Sequence, residues 1–164
     1  MMTVTATASR MKLLTSAMSR SHVRSECPIT EPPRILIVED DPHLAEVIGT
    51  LLSRNWFNCA IRRSGSQGIQ AFLHDPVDLI ITDLRMQAGD GIALIQAIRR
   101  NSRAPVIIVT GFAAEYADQV RFLDNVALLH KPFDAQALVE LIDKALDTIN
   151  SGSSKGWNTP LENS

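Results

Sequence analysis

From residue 34 onward, short continuous apolar runs alternate with segments whose apolar residues recur every three or four positions. Ile35–Val38, the stretch Asp78–Leu84, Val106–Val109 and Val126–Leu129 are runs of the first kind, and Cys59–Arg62 is a weaker one. Continuous Val/Ile/Leu character, rather than alternation, is what a parallel strand covered on both faces requires. Between these runs lie helical stripes. Leu44, Val47, Ile48, Leu51 and Leu52 follow Pro42, a residue suited to a first helical turn after an Asp cap. Ile69, Phe72 and Leu73 mark a short helix over Gly65–His74, and Ile92, Leu94, Ile95 and Ile98 one that Gly91 opens. Ala113–Leu123 reads as a helix of weaker periodicity. Asp134 caps a last one carrying Leu138, Leu141, Ile142 and Leu146. Five strands alternating with five helices predict a doubly wound parallel sheet, with Cys59–Arg62 at or near an edge.

In such sheets ligands bind beyond the carboxyl ends of the strands, where the strand order reverses. The residues at those ends are Glu39, Asp40 and Asp41, then Asp83, then Thr110, then Lys131. A buried strand tolerates a charge only where it reaches water, so Asp83 is expected in a crevice at the end of its strand. Several carboxylates on one rim repel: two unit charges 4 Å apart by about 4 kcal/mol at an effective dielectric near 20. A hard dication relieves this, and Mg²⁺, which takes one or two carboxylates and keeps several waters, suits an open crevice. Lys131 adds a fixed positive charge and Thr110 a hydroxyl donor. A dication, an ammonium and a hydroxyl around one carboxylate are the parts needed to stabilise a phosphoryl group transferring onto it.

Composition narrows the possibilities. The chain has 164 residues, 45% hydrophobic and 21% charged, with a formal charge of −2. That is one ordinary domain with spare length, without the basic surplus of a non-specific nucleic-acid binder. No apolar run approaches the about 18 residues of a spanning helix, so no membrane contact is expected. Cys27 and Cys59 lack metal spacing and read as reduced thiols of a cytoplasmic protein, with a disulfide between them the alternative. His22, His43, His74 and His130 show neither ligand spacing nor triad logic. Residues 1–33 are rich in Ser and Thr, with Arg10, Lys12, Arg20 and Arg24 and no acid before Glu26. They read as a flexible basic extension; a transit peptide and a later translation start at Met11 or Met18 are the alternatives. The domain then covers residues 34–148, and a flexible tail, residues 149–164, holds Trp157, either idle or a partner anchor.

Taken together, Ile35–Asp41, Asp83-Leu84-Arg85-Met86, Pro105–Gly111 and Lys131-Pro132-Phe133 resemble the receiver domain of two-component response regulators. The resemblance covers roughly residues 34–148, with the motifs in the family's order. It implies a flavodoxin-like (βα)5 fold with strand order 2-1-3-4-5. It implies that Asp83 receives a phosphoryl group from the phosphohistidine of a histidine kinase or phosphotransfer protein. Glu39, Asp40, Asp83 and the backbone carbonyl of Arg85 match the Mg²⁺ ligands. Thr110 matches the hydroxyl that swings toward the phosphoryl group, Lys131 the lysine that pairs with it, and Gly91 the glycine ending the loop. Asp41 reads as a helix cap, and the bond before Pro132 as a candidate cis peptide.

The sequence also departs from the pattern. Leu128 stands where the family often has an aromatic rotamer switch, Gln87 where proline is common, and Asp124-Asn125 where Gly-Ala is. Asn125 tolerates a left-handed helix-end geometry. Arg85 and Phe112 flank the site and are expected to set phosphoryl lifetime.

No helix-turn-helix or catalytic domain fits in the residues after the last helix, so direct DNA reading is not expected. The reading is a single-domain response regulator, not an enzyme beyond Mg²⁺-dependent self-phosphorylation and autodephosphorylation. It would act as a phosphorelay intermediate or adaptor through the fourth helix, fifth strand and fifth helix, roughly residues 113–146, toward a partner protein or a second copy. The rivals are a phosphorylation-independent binding module, a Mg²⁺-dependent phosphatase and a flavin carrier. The phosphatases carry a second Asp two residues after the nucleophile, where this chain has Arg85. A flavin phosphate would be repelled by Glu39-Asp40-Asp41.

Overall fold

A computed structural model describes residues 31–87 and 89–150. The expectations for residues 1–30, with Cys27 and His22, and for residues 151–164, with Trp157, lie outside the described residues. The elements are β1 (Arg34–Val38), α1 (Pro42–Arg54), β2 (Asn58–Arg62), α2 (Gly65–His74) and β3 (Leu79–Thr82). Then follow α3 (Gly91–Arg99), β4 (Val106–Thr110), α4 (Ala113–Val120), β5 (Val126–His130) and α5 (Ala135–Asn150). All belong to one compact unit beginning at Pro33. The strands form one parallel sheet in the order β2-β1-β3-β4-β5, with β2 at an edge as its weaker pattern predicts.

Alternation along the buried strands divides the core in two. Ile35 and Ile37 of β1, Leu79 and Ile81 of β3, and Ile107 and Val109 of β4 pack under α1 and α5. Leu36, Val38, Ile80, Val106 and Ile108 point the other way, toward α2, α3 and α4. Both faces of the central strands are thus dry, which explains their unbroken apolar character. The sheet order reverses between β1 and β3, so their carboxyl ends form the crevice that such a reversal opens.

Boundaries shift by a few residues from the sequence reading. β4 and β5 each run one residue further, taking in Thr110 and His130, while α4 stops at Val120 rather than Leu123. A turn from Val120 to Asn125 replaces the missing helix, with the Leu123 N–H on the Val120 carbonyl. α5 continues two residues past position 148, and the Thr148 hydroxyl donates to the Lys144 carbonyl. Two stripe residues are not core: Val47 and Leu73 are 63% and 65% exposed. Val47 instead lines an open apolar groove with Leu44, Leu51, Pro132 and Phe133.

Three structural devices hold the connections. Trp56 ends α1 at φ 63°, with its N–H on the Ser53 carbonyl and the Phe57 N–H on that of Leu52. This six-to-one, five-to-two closure normally carries glycine at the left-handed position. Asn125 takes φ 55°, the conformation foreseen for it, and its side chain donates to the Arg103 carbonyl. Arg99 reaches from the end of α3 to the carbonyls of Ala104, Asp124 and Asn125 at 2.8, 3.0 and 3.1 Å. It ties the turn before β4 to the turn before β5. The Lys131–Pro132 bond is cis.

Candidate functional site

Asp83 is the first residue beyond β3, and its own N–H donates to the Val38 carbonyl of β1. It is 7% exposed. Its Oδ1 accepts from the Leu84 N–H at 2.6 Å and the Arg85 N–H at 3.3 Å. Its Oδ2 accepts from Lys131 Nζ at 2.7 Å. Two amides on one oxygen and an ammonium on the other fix the carboxylate in place. The loop that supplies those amides closes on itself, with the Gly91 N–H on the Leu84 carbonyl at 3.0 Å.

Glu39, at the end of β1, is 2% exposed. Its Oε2 accepts from the same Lys131 ammonium at 2.9 Å and its Oε1 from the Asp41 N–H at 3.1 Å. Lys131 therefore bridges two buried carboxylates, and its own N–H donates to the Thr110 carbonyl. Asp40 stands on the outer side of this cluster, its Oδ2 accepting from the Gln87 N–H at 2.9 Å. Asp41 does what its place before Pro42 predicts: its Oδ1 caps α1 through the His43 and Leu44 N–H groups.

Thr110 is fully buried. Its hydroxyl oxygen accepts from the Phe112 N–H at 3.2 Å, so it turns toward the start of α4 rather than toward Asp83. Phe112 in turn lies under the Arg85 guanidinium, 4.5 Å from ring centroid to Cζ. That distance is within reach of a cation–π contact. The structure thus joins Glu39, Asp83 and Lys131 directly, and sets Asp40, Thr110 and Arg85 around them. Sequence reading missed two participants. Gln87 acts through its backbone, which leaves no signature in residue type. The Arg85–Phe112 stack needs coordinates to show that the two flanking side chains meet.

Charge at the site is unevenly balanced. Burial raises the pKa of Glu39, outweighing the Lys131 and Asp41 bonds that lower it. Lys131 is also pushed down by burial, but its bonds to Asp83 and Glu39 outweigh this and raise its pKa. One ammonium thus serves two buried carboxylates, with Asp40 close by.

Among the described residues, no three His, Cys, Asp or Glu side chains are arranged together as metal ligands. Mg²⁺ does not need three, since one or two carboxylates with waters suffice. The all-oxygen donors of Glu39, Asp40 and Asp83, and a Glu39 anion that burial still disfavours, fit such an ion.

A stability prediction follows from Glu39. Below the ordinary carboxylate pKa, its proton is bound in both folded and unfolded chains. As pH rises from that value toward the raised folded pKa, the unfolded chain releases its proton first and stability falls. Without divalent cations, Glu39→Gln is expected to flatten this window and raise the melting temperature at pH 7 by a few degrees. Thermal unfolding across pH checks it; an unchanged profile or a lower melting temperature contradicts it.

Comparison with known proteins gives the family and the fold. The family model described as the response regulator receiver domain matches residues 35–143. The transcriptional regulatory protein GlrR of Escherichia coli (strain K12) is 32% identical over 134 residues, which are 80% of this chain and 30% of GlrR. The response regulator ArlR of Staphylococcus saprophyticus is 35% identical over 111 residues, 66% of this chain and 50% of ArlR. The chain therefore spans half or less of these curated relatives. A sensor protein from Polaromonas sp. JS666 superposes with TM-score 0.65 at 30% identity, covering 71% of this chain and 98% of that one. The Francisella response regulator 1452 receiver domain also gives 0.65, at 24% identity with the same coverage, a likeness of fold.

Proposed function

Because the chain belongs to the response regulator receiver domain family, we propose that the Asp83 carboxylate accepts a phosphoryl group from a phosphohistidine. The donor is a histidine kinase or a histidine phosphotransfer protein. A bond forms between an Asp83 carboxylate oxygen and phosphorus, the phosphorus–nitrogen bond breaks, and the imidazole leaves with a proton. The observation that carries this reading is the single Asp83 carboxylate held between two backbone amides and an ammonium.

Each neighbour has a part. The Leu84 and Arg85 N–H groups orient the acceptor, and Lys131 offers fixed positive charge to the incoming phosphoryl oxygens. Glu39, Asp40, Asp83 and the Arg85 carbonyl are the groups that would hold Mg²⁺. The family generally binds this ion for phosphorylation, and bound here it would offset the charge gathered on the phosphoryl oxygens. Thr110 supplies a hydroxyl from the end of β4. When that hydroxyl turns to a phosphoryl oxygen, the Phe112 N–H at the head of α4 loses its acceptor. Phosphorylation can thereby reach α4 although position 128 is Leu. The α4–β5–α5 face is then the surface that meets a downstream protein or a second copy. Among the described residues no helix is long and apolar enough to cross a membrane, which suits a cytoplasmic adaptor or relay intermediate.

Incubation with acetyl phosphate and Mg²⁺ tests the reading. Acid-stable, hydroxylamine-labile phosphoryl incorporation is expected, dependent on Mg²⁺ and absent in Asp83→Ala. Decay of that label is expected to change in Arg85→Asn and Phe112→Ala, which remove the cover stacked beside the acceptor. No incorporation despite Mg²⁺ binding would overturn the proposal in favour of a phosphorylation-independent binding module.

A further inference from the structure

The acidic loop after β1 and the loop after β3 meet at one hydrogen bond that side-chain identity does not announce. The Gln87 N–H donates to Asp40 Oδ2 at 2.9 Å, across 47 positions of sequence. Its place is set by a two-residue antiparallel ladder, Arg85 opposite Asp90 and Met86 opposite Gly89, which makes Gln87 the first residue of the turn between them. A second tie holds the same acid, since Arg63 Nη1 reaches the Asp40 carbonyl at 3.5 Å. Proline, common in the family at this position, has no N–H to give. The bond therefore exists here because the chain carries a residue other than proline.

We infer that the Gln87 backbone amide is a positioning group for Mg²⁺, fixing one oxygen of the Asp40 carboxylate beside the Glu39–Asp83–Lys131 cluster so that this acid is ordered before the ion binds. The inference rests on the Mg²⁺ site of the proposed function. A side chain partly open to solvent otherwise samples several rotamers, and fixing one beforehand removes an ordering cost from ion binding. The second oxygen's lone pairs remain for the ion or for a water bound to it.

The turn makes the decisive substitution tolerable. Pro is favoured at the first central position of common four-residue turns and is common in the family at this position, so Gln87→Pro is expected to remove the donor and leave the chain folded. Gln87→Ala is the conservative partner: it deletes the side chain and keeps the amide. Titration of the purified protein with Mg²⁺ alone, followed by calorimetry, reads the difference. Gln87→Pro is expected to raise the dissociation constant about two- to tenfold, the range of one net hydrogen bond. Gln87→Ala is expected to bind like the parent chain. In an Asp40→Ala background, Gln87→Pro is expected to add nothing.

Unchanged or tighter binding in Gln87→Pro overturns the inference. So does equal weakening in Gln87→Ala, or a full effect of Gln87→Pro without Asp40. A parent chain that binds no Mg²⁺ overturns the metal reading itself, and this role with it. A parent that binds Mg²⁺ but ignores Gln87→Pro overturns the role alone.

Discussion

Gly91→Ala is expected to lower the free energy of unfolding by about 3–5 kcal/mol, or to prevent folding, and to abolish phosphoryl incorporation. A Cβ at this position would overlap the Asp83 carbonyl oxygen and lie 2.9 Å from Leu84 Cα and 3.0 Å from the Asp83 carbonyl carbon. These are backbone atoms of the residues that carry the acceptor, and they have no rotamer by which to yield. Relaxation elsewhere is blocked as well. The Gly91 N–H is bonded to Leu84, and Ile92, Leu94, Ile95 and Ile98 anchor α3 in the core. Relief therefore requires moving Asp83 or lifting a buried helix, and either takes the carboxylate away from Lys131. Denaturant unfolding and acetyl phosphate labelling measure the two effects. A variant within about 1 kcal/mol of the parent and still labelled would show that the loop is slacker than its contacts imply.

Lys131→Met is expected to reduce phosphoryl incorporation at least about a hundredfold and to destabilise the fold by about 2–3 kcal/mol. Methionine matches the stem and removes the ammonium, leaving Glu39 and Asp83 buried without their shared partner. The Lys131 side chain is 25% exposed, so water softens the loss below that of a fully enclosed pair. Its raised pKa fixes the sign with pH. The stabilisation is fully present below the ordinary lysine pKa and is lost only as pH rises through the higher folded value. At neutral pH the parent thus keeps the whole contribution. Acidification that protonates Glu39 should narrow the gap between parent and variant. Unfolding at pH 7 and at acid pH, with labelling at neutral pH, checks all three statements; equal stability at pH 7 would contradict them.

Much of this was legible in the sequence because it depends on residue type and order. Strands buried on both faces must be apolar throughout, so β1, β3 and β4 announced themselves, and charges could stand only at their ends. Glu39 and Asp83 were found there for that reason, and Lys131 by its place just beyond the apolar run of β5. The cap at Asp41, the left-handed Asn125 and the edge position of β2 follow from equally local chemistry. What stayed hidden is backbone-mediated or depends on distance. The Gln87 amide would be present in 19 of 20 residue types in principle, so only the fold reveals what it meets. Arg99 looked like an ordinary helix-end cation until its guanidinium was seen to hold carbonyls from two separate turns. Trp56 occupies a glycine-like position against local preference. Val47 fits the helical stripe of α1 by period, yet the groove beside it leaves the side chain uncovered.

The measurement that tests the central claim most directly is the location of the phosphoryl group. The protein is labelled with acetyl phosphate and Mg²⁺, reduced with borohydride, which converts an aspartyl phosphate to homoserine, digested, and sequenced by mass spectrometry. Asp83 as the site of conversion, with no conversion when Mg²⁺ is chelated, is the result expected. Conversion at another carboxylate, or at Asp83 independently of Mg²⁺, would contradict the roles given to Lys131, Glu39 and Asp40 around it.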